Sequence, residues 1–305
     1  MANNDTSQRI LWSVLMFVAM IFWGMSWPFS KLLTQQASPY LIAFLRFAAV
    51  SITFIPVILF LKLSFKIPKN TLKMFVSVSL FNALYSLFFF VGLGFGFAGK
   101  AGVITVTLSP ILTALFAAIY YKTHLLGREK IGLLIGLISG GFLLQASSFE
   151  TLFSPFNLFF VAAATSWAIL TIISRHLSEH LHPIVLNFYT SLLSALWFFP
   201  VIFIQDMSIL LEVKADFWLD LFIIAVLSTA IGTSIFYKGV SVLGINQGAS
   251  FTLITPLSAL FFSFVILGEI PQWQTLIGGT GAIIAIYFIS LYQSHHFKFF
   301  KKESL

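Results

Sequence analysis

Ten apolar stretches, each close to the length a helix needs to cross a lipid bilayer, constrain this chain more than anything else in its sequence. A spanning helix takes about 20 mostly apolar residues, because every backbone amide must be paired inside the segment once water is gone. The stretches fall at 11–34, 39–61, 72–95, 101–121, 131–147, 156–174, 183–204, 218–237, 247–267 and 273–293. The connections between them are short and punctuated by Pro, Gly, Asn and Lys, so no soluble domain is inserted. The expected fold class is therefore an all-α integral membrane protein of ten transmembrane helices, with tails at 1–10 and 294–305.

Composition excludes the alternatives. With 59% hydrophobic and 9% charged residues, polar surface is too scarce to clothe a water-soluble globule. A net charge of +7 would suggest nucleic acid in a soluble protein, but here the basic residues sit in short loops between apolar runs, so no nucleic-acid partner is expected. The absence of cysteine rules out disulfides, thiolate metal sites and a cysteine nucleophile. His124, His176, His180, His182, His295 and His296 all fall on one predicted side, with no carboxylate to complete a metal site. No Gly-rich phosphate loop is present. The expectation is a non-enzyme with no cofactor and no metal. The first apolar run lacks a small-residue cleavage site and reads as a retained span.

Loop charges set the orientation, because cytoplasmic loops carry the excess of Lys and Arg. With the N-terminus inside, thirteen basic residues lie on the inner side, against Lys31, Lys100 and Lys214 outside and Arg46 within a span. Both termini are thus expected in the cytoplasm, with the chain multi-pass in the cell inner membrane.

The sequence also repeats itself. At one shift Trp23 meets Trp167, Pro39 meets Pro183, Phe44 meets Phe188 and Pro56 meets Pro200. At a shift two residues longer Gly102 meets Gly248, Pro110 meets Pro256 and Gly132 meets Gly278. Six of only ten prolines fall into these pairs, which chance does not readily supply. Each copy holds five spans, an odd number, so equivalent helices cross in opposite directions. The halves, 11–149 and 155–293, are expected as inverted repeats about an axis in the membrane plane, a symmetry suited to a carrier that opens a central site to each side in turn.

Ten spans in two repeats, a tryptophan in the first span of each half, Leu45-Arg46-Phe47 in the second span, and Pro110 and Pro256 in the fourth span of each half resemble the drug/metabolite transporter superfamily, most closely its EamA-type members. Leu267-Gly268-Glu269 with Pro271, Trp273 and Gly278 is similar to the family's signature between its ninth and tenth helices. The first half departs from it, reading Lys122-Thr123-His124 where the second has Glu269. The resemblance implies export or exchange of amino acids or other small metabolites through a cavity bounded by the first, third and fourth spans and their mates, the sixth, eighth and ninth. Nucleotide- or sulfonium-type metabolites and amphiphilic drugs are alternative cargoes, and a membrane enzyme or a structural membrane protein is the alternative class. The partners expected are a small-molecule substrate and membrane lipid, with a monomer as the working unit.

Candidate residues follow. Trp23, Trp27, Asn82, Tyr85, Lys100, Trp167, Tyr237 and Gln247 are the substrate-binding candidates, rings as walls and amides to orient a polar end. Asn82, Tyr85 and Ser86, and Ser228, Thr229, Thr233 and Ser234 opposite, serve either as ligands or as interhelical hydrogen bonds. Pro28, in Trp23-Gly24-Met25-Ser26-Trp27-Pro28, and the mid-helix Pro110 and Pro256 are hinge candidates, or kinks absorbed by packing. Arg46 lies where a cation is costly unless paired or wetted, and marks either the substrate pathway or a structural pairing with Glu269 or helix-end carbonyls. Lys31 and Lys100 either snorkel to the interface or face the cavity mouth. All ten acidic residues sit at or beyond span ends, which speaks against a carboxylate proton relay. Gly132, Gly136, Gly140 and Gly278 read as packing positions.

Overall fold

The computed structural model describes residues 2–68, 71–120, 122, 127–146, 148–178, 181–205, 207–243 and 251–296, and their side chains except at 2–6, 175, 176, 178, 237 and 290–296. Among these residues there is no strand. Besides one-turn helices, the helices are α1 (Ala2–Thr34), α2 (Pro39–Phe60), α3 (Leu72–Leu93), α4 (Ala98–Tyr120), α5 (Gly127–Leu143), α6 (Pro155–Ser178), α7 (Pro183–Phe198), α8 (Ala215–Leu243), α9 (Ile254–Leu267) and α10 (Trp273–His296). Seven of the described segments, α1 to α4 and α6 to α8, the last turn Val201–Ile204 counted with α7, are long and apolar enough to cross a membrane, and α5, α9 and α10 complete the bundle.

Matching local chemistry starts matching helices. Pro39 and Pro183 both stand in the first turn, where a missing N–H costs nothing. Ser38 Oγ accepts from the Leu41 N–H at 3.2 Å and His182 Nδ1 from the Ile184 N–H at 3.3 Å. α4 and α9 are each followed by a left-handed residue, Lys122 with φ 51° and Gly268 with φ 68°. For Gly268 that conformation is free, and it lets its N–H close the helix on Phe264 O.

The halves are inverted. Lys31, near the end of α1, reaches the carbonyl of Gly96, and a Cβ on Gly96 would strike the ring of Phe156, in the first turn of α6. α1 therefore finishes where α6 begins. Packing partners also exchange when the halves do: α1 lies on α9 and α8, and α6 lies on α4 and α3, while α2 with α7, α4 with α9 and α5 with α10 form pairs across the axis. Buried Phe54, Phe75, Phe90, Phe160 and Phe217 fill the interior. Phe60, Leu137, Phe203 and Ile204 point outward, as expected where the solvent is lipid.

Small residues set the tightest crossings. A Cβ on Gly24 would lie 2.3 Å from Ser258, where α1 crosses α9, and one on Gly132 would lie 2.8 Å from Ile289, where α5 meets α10. Gly140 differs, since nothing lies within 4 Å of an added Cβ. The Trp23–Pro28 segment does not interrupt α1, whose helix continues through it. Pro110 is mid-helix as its spacing predicts, but Pro256 stands in the first turn of the helix described for α9. α8 carries an unexpected feature, a π-helical stretch at Ile223–Gly232.

Candidate substrate path between the repeats

Two clusters join the halves. The first closes the end of the bundle where α1 finishes, called here the Lys31 face. Gly268 turns the chain so that Glu269, 8% exposed, points at the start of α4. Its Oε1 accepts from the Ala98 N–H and its Oε2 from the Gly99 N–H, each at 2.9 Å. Those N–H groups have no partner inside the helix, and a carboxylate there also meets the positive end of the helix dipole. Lys31 Nζ completes the clasp, donating to Glu269 Oε1 at 3.1 Å and to Gly96 O at 2.6 Å. Capping explains why α4 begins three residues before the apolar run predicts. Lys31 is thus held by Glu269 and the Gly96 carbonyl, and Glu269 pairs with it rather than with Arg46.

The second cluster lies deeper. Arg46 extends from α2 between α3 and α8, its guanidinium 5.9 Å from the ring centres of Phe47 and Phe90. Its Nη2 donates to Thr229 Oγ1 at 3.3 Å, and its buried Nε–H has no partner among the described residues. Thr229 belongs to the π-helical stretch, and its hydroxyl donates five residues back to Ile224 O at 2.8 Å. Next to it, Ser228 O accepts from Trp23 Nε1 at 3.1 Å. Tyr85 lies within electrostatic range of Arg46, its ring centre 4.8 Å from that of Trp167, which is 40% exposed. Trp23, Arg46, Tyr85, Trp167 and Thr229 thus converge from α1, α2, α3, α6 and α8.

The remaining candidates are scattered. Trp27 is 3% exposed, packed edge-on against Phe89 at 4.8 Å and against the Cα of Gly102, a core position between α1, α3 and α4. Asn82 donates to Ser194 Oγ on α7 at 3.0 Å, an interhelical hydrogen bond. Lys100 stands in the first turn of α4 with its ammonium 5.3 Å from the Phe156 ring centre, beside a cavity of about 10 Å³ that Glu269 also lines. Gln247 and the side chain of Tyr237 lie outside the described residues. Ser109 Oγ donates to Thr105 O at 2.6 Å rather than to the Val106 carbonyl that Pro110 leaves free, and Thr255 Oγ1 reaches Met20 Sδ at 3.4 Å on α1.

Sequence reasoning missed Ser194 as the partner of Asn82, since nothing in spacing links α3 to α7. It also placed Asp220 at a span edge. The side chain is buried inside α8, 4% exposed, with no hydrogen bond among the described residues. The capping role of Glu269 had one visible signal, the absence of an acid at the matching place in the first half.

The profile of the EamA-like transporter family matches residues 10–144 and again 155–291. The uncharacterized transporter YetK of Bacillus subtilis is 23% identical over 272 residues, covering 87% of this chain and 82% of that protein. The S-adenosylmethionine uptake transporter of Rickettsia felis is 25% identical over 273 residues, covering 85% of each. A solved crystal structure of a protein 19% identical superposes with a TM-score of 0.64 over 92% of this chain and 97% of its own, a likeness of fold.

Proposed function

Since the chain belongs to the EamA-like transporter family and is a multi-pass membrane transporter, we propose that it carries small polar metabolites, amino acids and related zwitterions first, by alternating access between its two repeats. One observation supports this above all: packing partners exchange when the halves exchange, the pseudo-twofold relation between inverted repeats on which alternating access operates. The clasp between Lys31 and the start of α4 on one half and Glu269 on the other is the tie that such a swap must break.

Loop charges favour cytoplasmic termini in a cell inner membrane, which makes the Lys31 face extracellular. Export or exchange is the mode proposed for it. Trp23, Tyr85 and Trp167 supply an aromatic wall, and the S-adenosylmethionine named for the Rickettsia relative is itself an amino acid, with a sulfonium centre that aromatic faces attract. That favours sulfonium amino acids as a second cargo.

Purified protein in liposomes tests the proposal. Time-dependent, saturable uptake of labelled amino acids or S-adenosylmethionine, accelerated by unlabelled substrate on the far side, is expected. Conversion of substrate without translocation would indicate a membrane enzyme instead.

A further inference from the structure

We infer that Arg46 is the group that receives the substrate's carboxylate, an assignment that rests on the reading of this chain as a carrier of amino-acid-class metabolites. Arg46 is seven residues into α2, about 10 Å along the helix axis from Pro39, which places its guanidinium well inside an apolar layer about 30 Å thick. A cation at that depth is costly unless an anion or water meets it. Among the described residues no carboxylate lies within ion-pair distance of Arg46, because Glu269 is committed to Lys31 and the α4 N-terminus. Among the described residues, the guanidinium meets two phenylalanine faces and one threonine hydroxyl, with Tyr85 in electrostatic range.

The unused donor has a direction. Nε–H and one N–H of Nη2 lie side by side on one edge of the guanidinium plane, spaced to meet the two oxygens of a carboxylate. Thr229 holds Nη2 from the π-helical turn of α8, and that hydroxyl is itself fixed by donating to Ile224 O. Such π-helical insertions concentrate at functional positions in helices. Tyr85, within electrostatic range of Arg46, packs against Trp167 with ring centres 4.8 Å apart, a surface for an apolar or cationic remainder. Carboxylate fits better than phosphate. A dianion would call for a second cation, and Lys31 and Lys100 are engaged elsewhere, Lys31 in the clasp and Lys100 over Phe156.

A purely structural Arg46, tying α2 to α8 through Thr229, makes the opposite forecast for stability. A buried cation without its counter-ion weakens the empty protein, so replacing it with an apolar group of similar length leaves stability equal or higher. Were Arg46 a structural tie, the same change would loosen the bundle.

The full-length chain in liposomes decides between them. The probes are labelled amino acids and S-adenosylmethionine, each beside its methyl ester, which keeps the side chain and loses the carboxylate charge. Wild type is expected to take up the acids and to discriminate against the esters. Arg46→Met is expected to lower kcat/KM for the acids by at least about tenfold, the loss of a charge-assisted hydrogen-bonded pair, to lose the preference over esters, and to keep or raise the unfolding temperature. Arg46→Lys, which retains charge without the fork, should recover part of the uptake. Unchanged kcat/KM in Arg46→Met overturns the assignment, and so does a parallel loss of uptake and thermal stability. Wild-type protein that takes up none of the probes overturns the amino-acid-class cargo on which the assignment rests.

Discussion

The ammonium of Lys31 lies 3.1 Å from a carboxylate oxygen of Glu269, 238 residues away in the chain. The contact joins the end of α1 in one repeat to the turn after α9 in the other, and the same carboxylate caps α4 through the N–H groups of Ala98 and Gly99. Repeat symmetry carries Lys31 onto Arg175, another base, but carries Glu269 onto Thr123 in a segment with no acid. The tie is therefore built into one face by sequence.

Removing the carboxylate should favour the state with the Lys31 face open. Glu269→Gln keeps an acceptor for the α4 cap and discards the charge, so it should cost less stability than Glu269→Ala, for which about 1–3 kcal/mol is expected from stranded donors. The chain has no cysteine, which makes Ser263→Cys, at a buried position beside Gly99, a clean reporter. Its labelling by a membrane-impermeant maleimide should be faster in the Glu269→Gln background. Equal labelling rates would show that the clasp does not gate this face.

Crowding at the α1–α9 crossing gives a steric forecast. Gly24→Ala places a methyl 2.3 Å from Ser258 and 2.8 Å from the Ala259 backbone, and backbone cannot yield as a side-chain tip does. A loss of about 1–3 kcal/mol is expected from overpacking, with transport falling as well. Gly140→Ala meets nothing within 4 Å and should be neutral or stabilising by up to about 1 kcal/mol through helix propensity. Thermal unfolding of the two variants side by side checks the contrast.

The two prolines related by the repeat should not behave alike. Pro110 interrupts the hydrogen-bond ladder in the middle of α4, whereas Pro256 stands in the first turn of the described α9, where its missing N–H is no loss. Pro110→Ala is expected to change the transport rate, by stiffening α4, more than Pro256→Ala does. Initial-rate uptake under matched protein loading measures the difference, and equal effects would remove the mid-helix argument.

His182 supplies a pH dependence. Burial, then the nearby charge of Lys238, hold its imidazole below the ordinary histidine range. Its Nδ1 accepts from the Ile184 N–H at the start of α7, a role that needs the ring unprotonated there. A group whose folded pKa is depressed gives stability that is present above its unfolded value, about 6.5, and is lost as pH falls through the folded one. The unfolding temperature should therefore decline in mild acid, and His182→Asn, which caps without titrating, should flatten that decline.

Much of the architecture was legible before any coordinates, because it follows from one-dimensional constraints. Backbone amides in lipid must pair locally, so apolar run length dictates helices at 39–60 and 72–93 almost to the residue. The proline pairs at Pro39 and Pro183 mark equivalent helix starts for the same reason, since a proline's missing donor is a local property. An odd number of spans per copy requires inversion, and the meeting of α1's end with α6's beginning at Gly96 shows it. Polar residues within spans were also visible as candidates, Arg46, Asn82 and Thr229 among them.

Which of those polar groups touch was decided by tertiary structure alone. Hydropathy says that Arg46 must be satisfied but not whether by Glu269 or Thr229, because partner choice depends on which helix faces turn inward when the halves dock. The same docking sends Asn82 to Ser194, gives Lys31 to Glu269 and leaves the Nε–H of Arg46 without a partner among the described residues. Composition and repeat spacing determined a duplicated bundle in lipid. Helix rotation, fixed by close contacts such as Gly24 on Ser258, decided where its charges go.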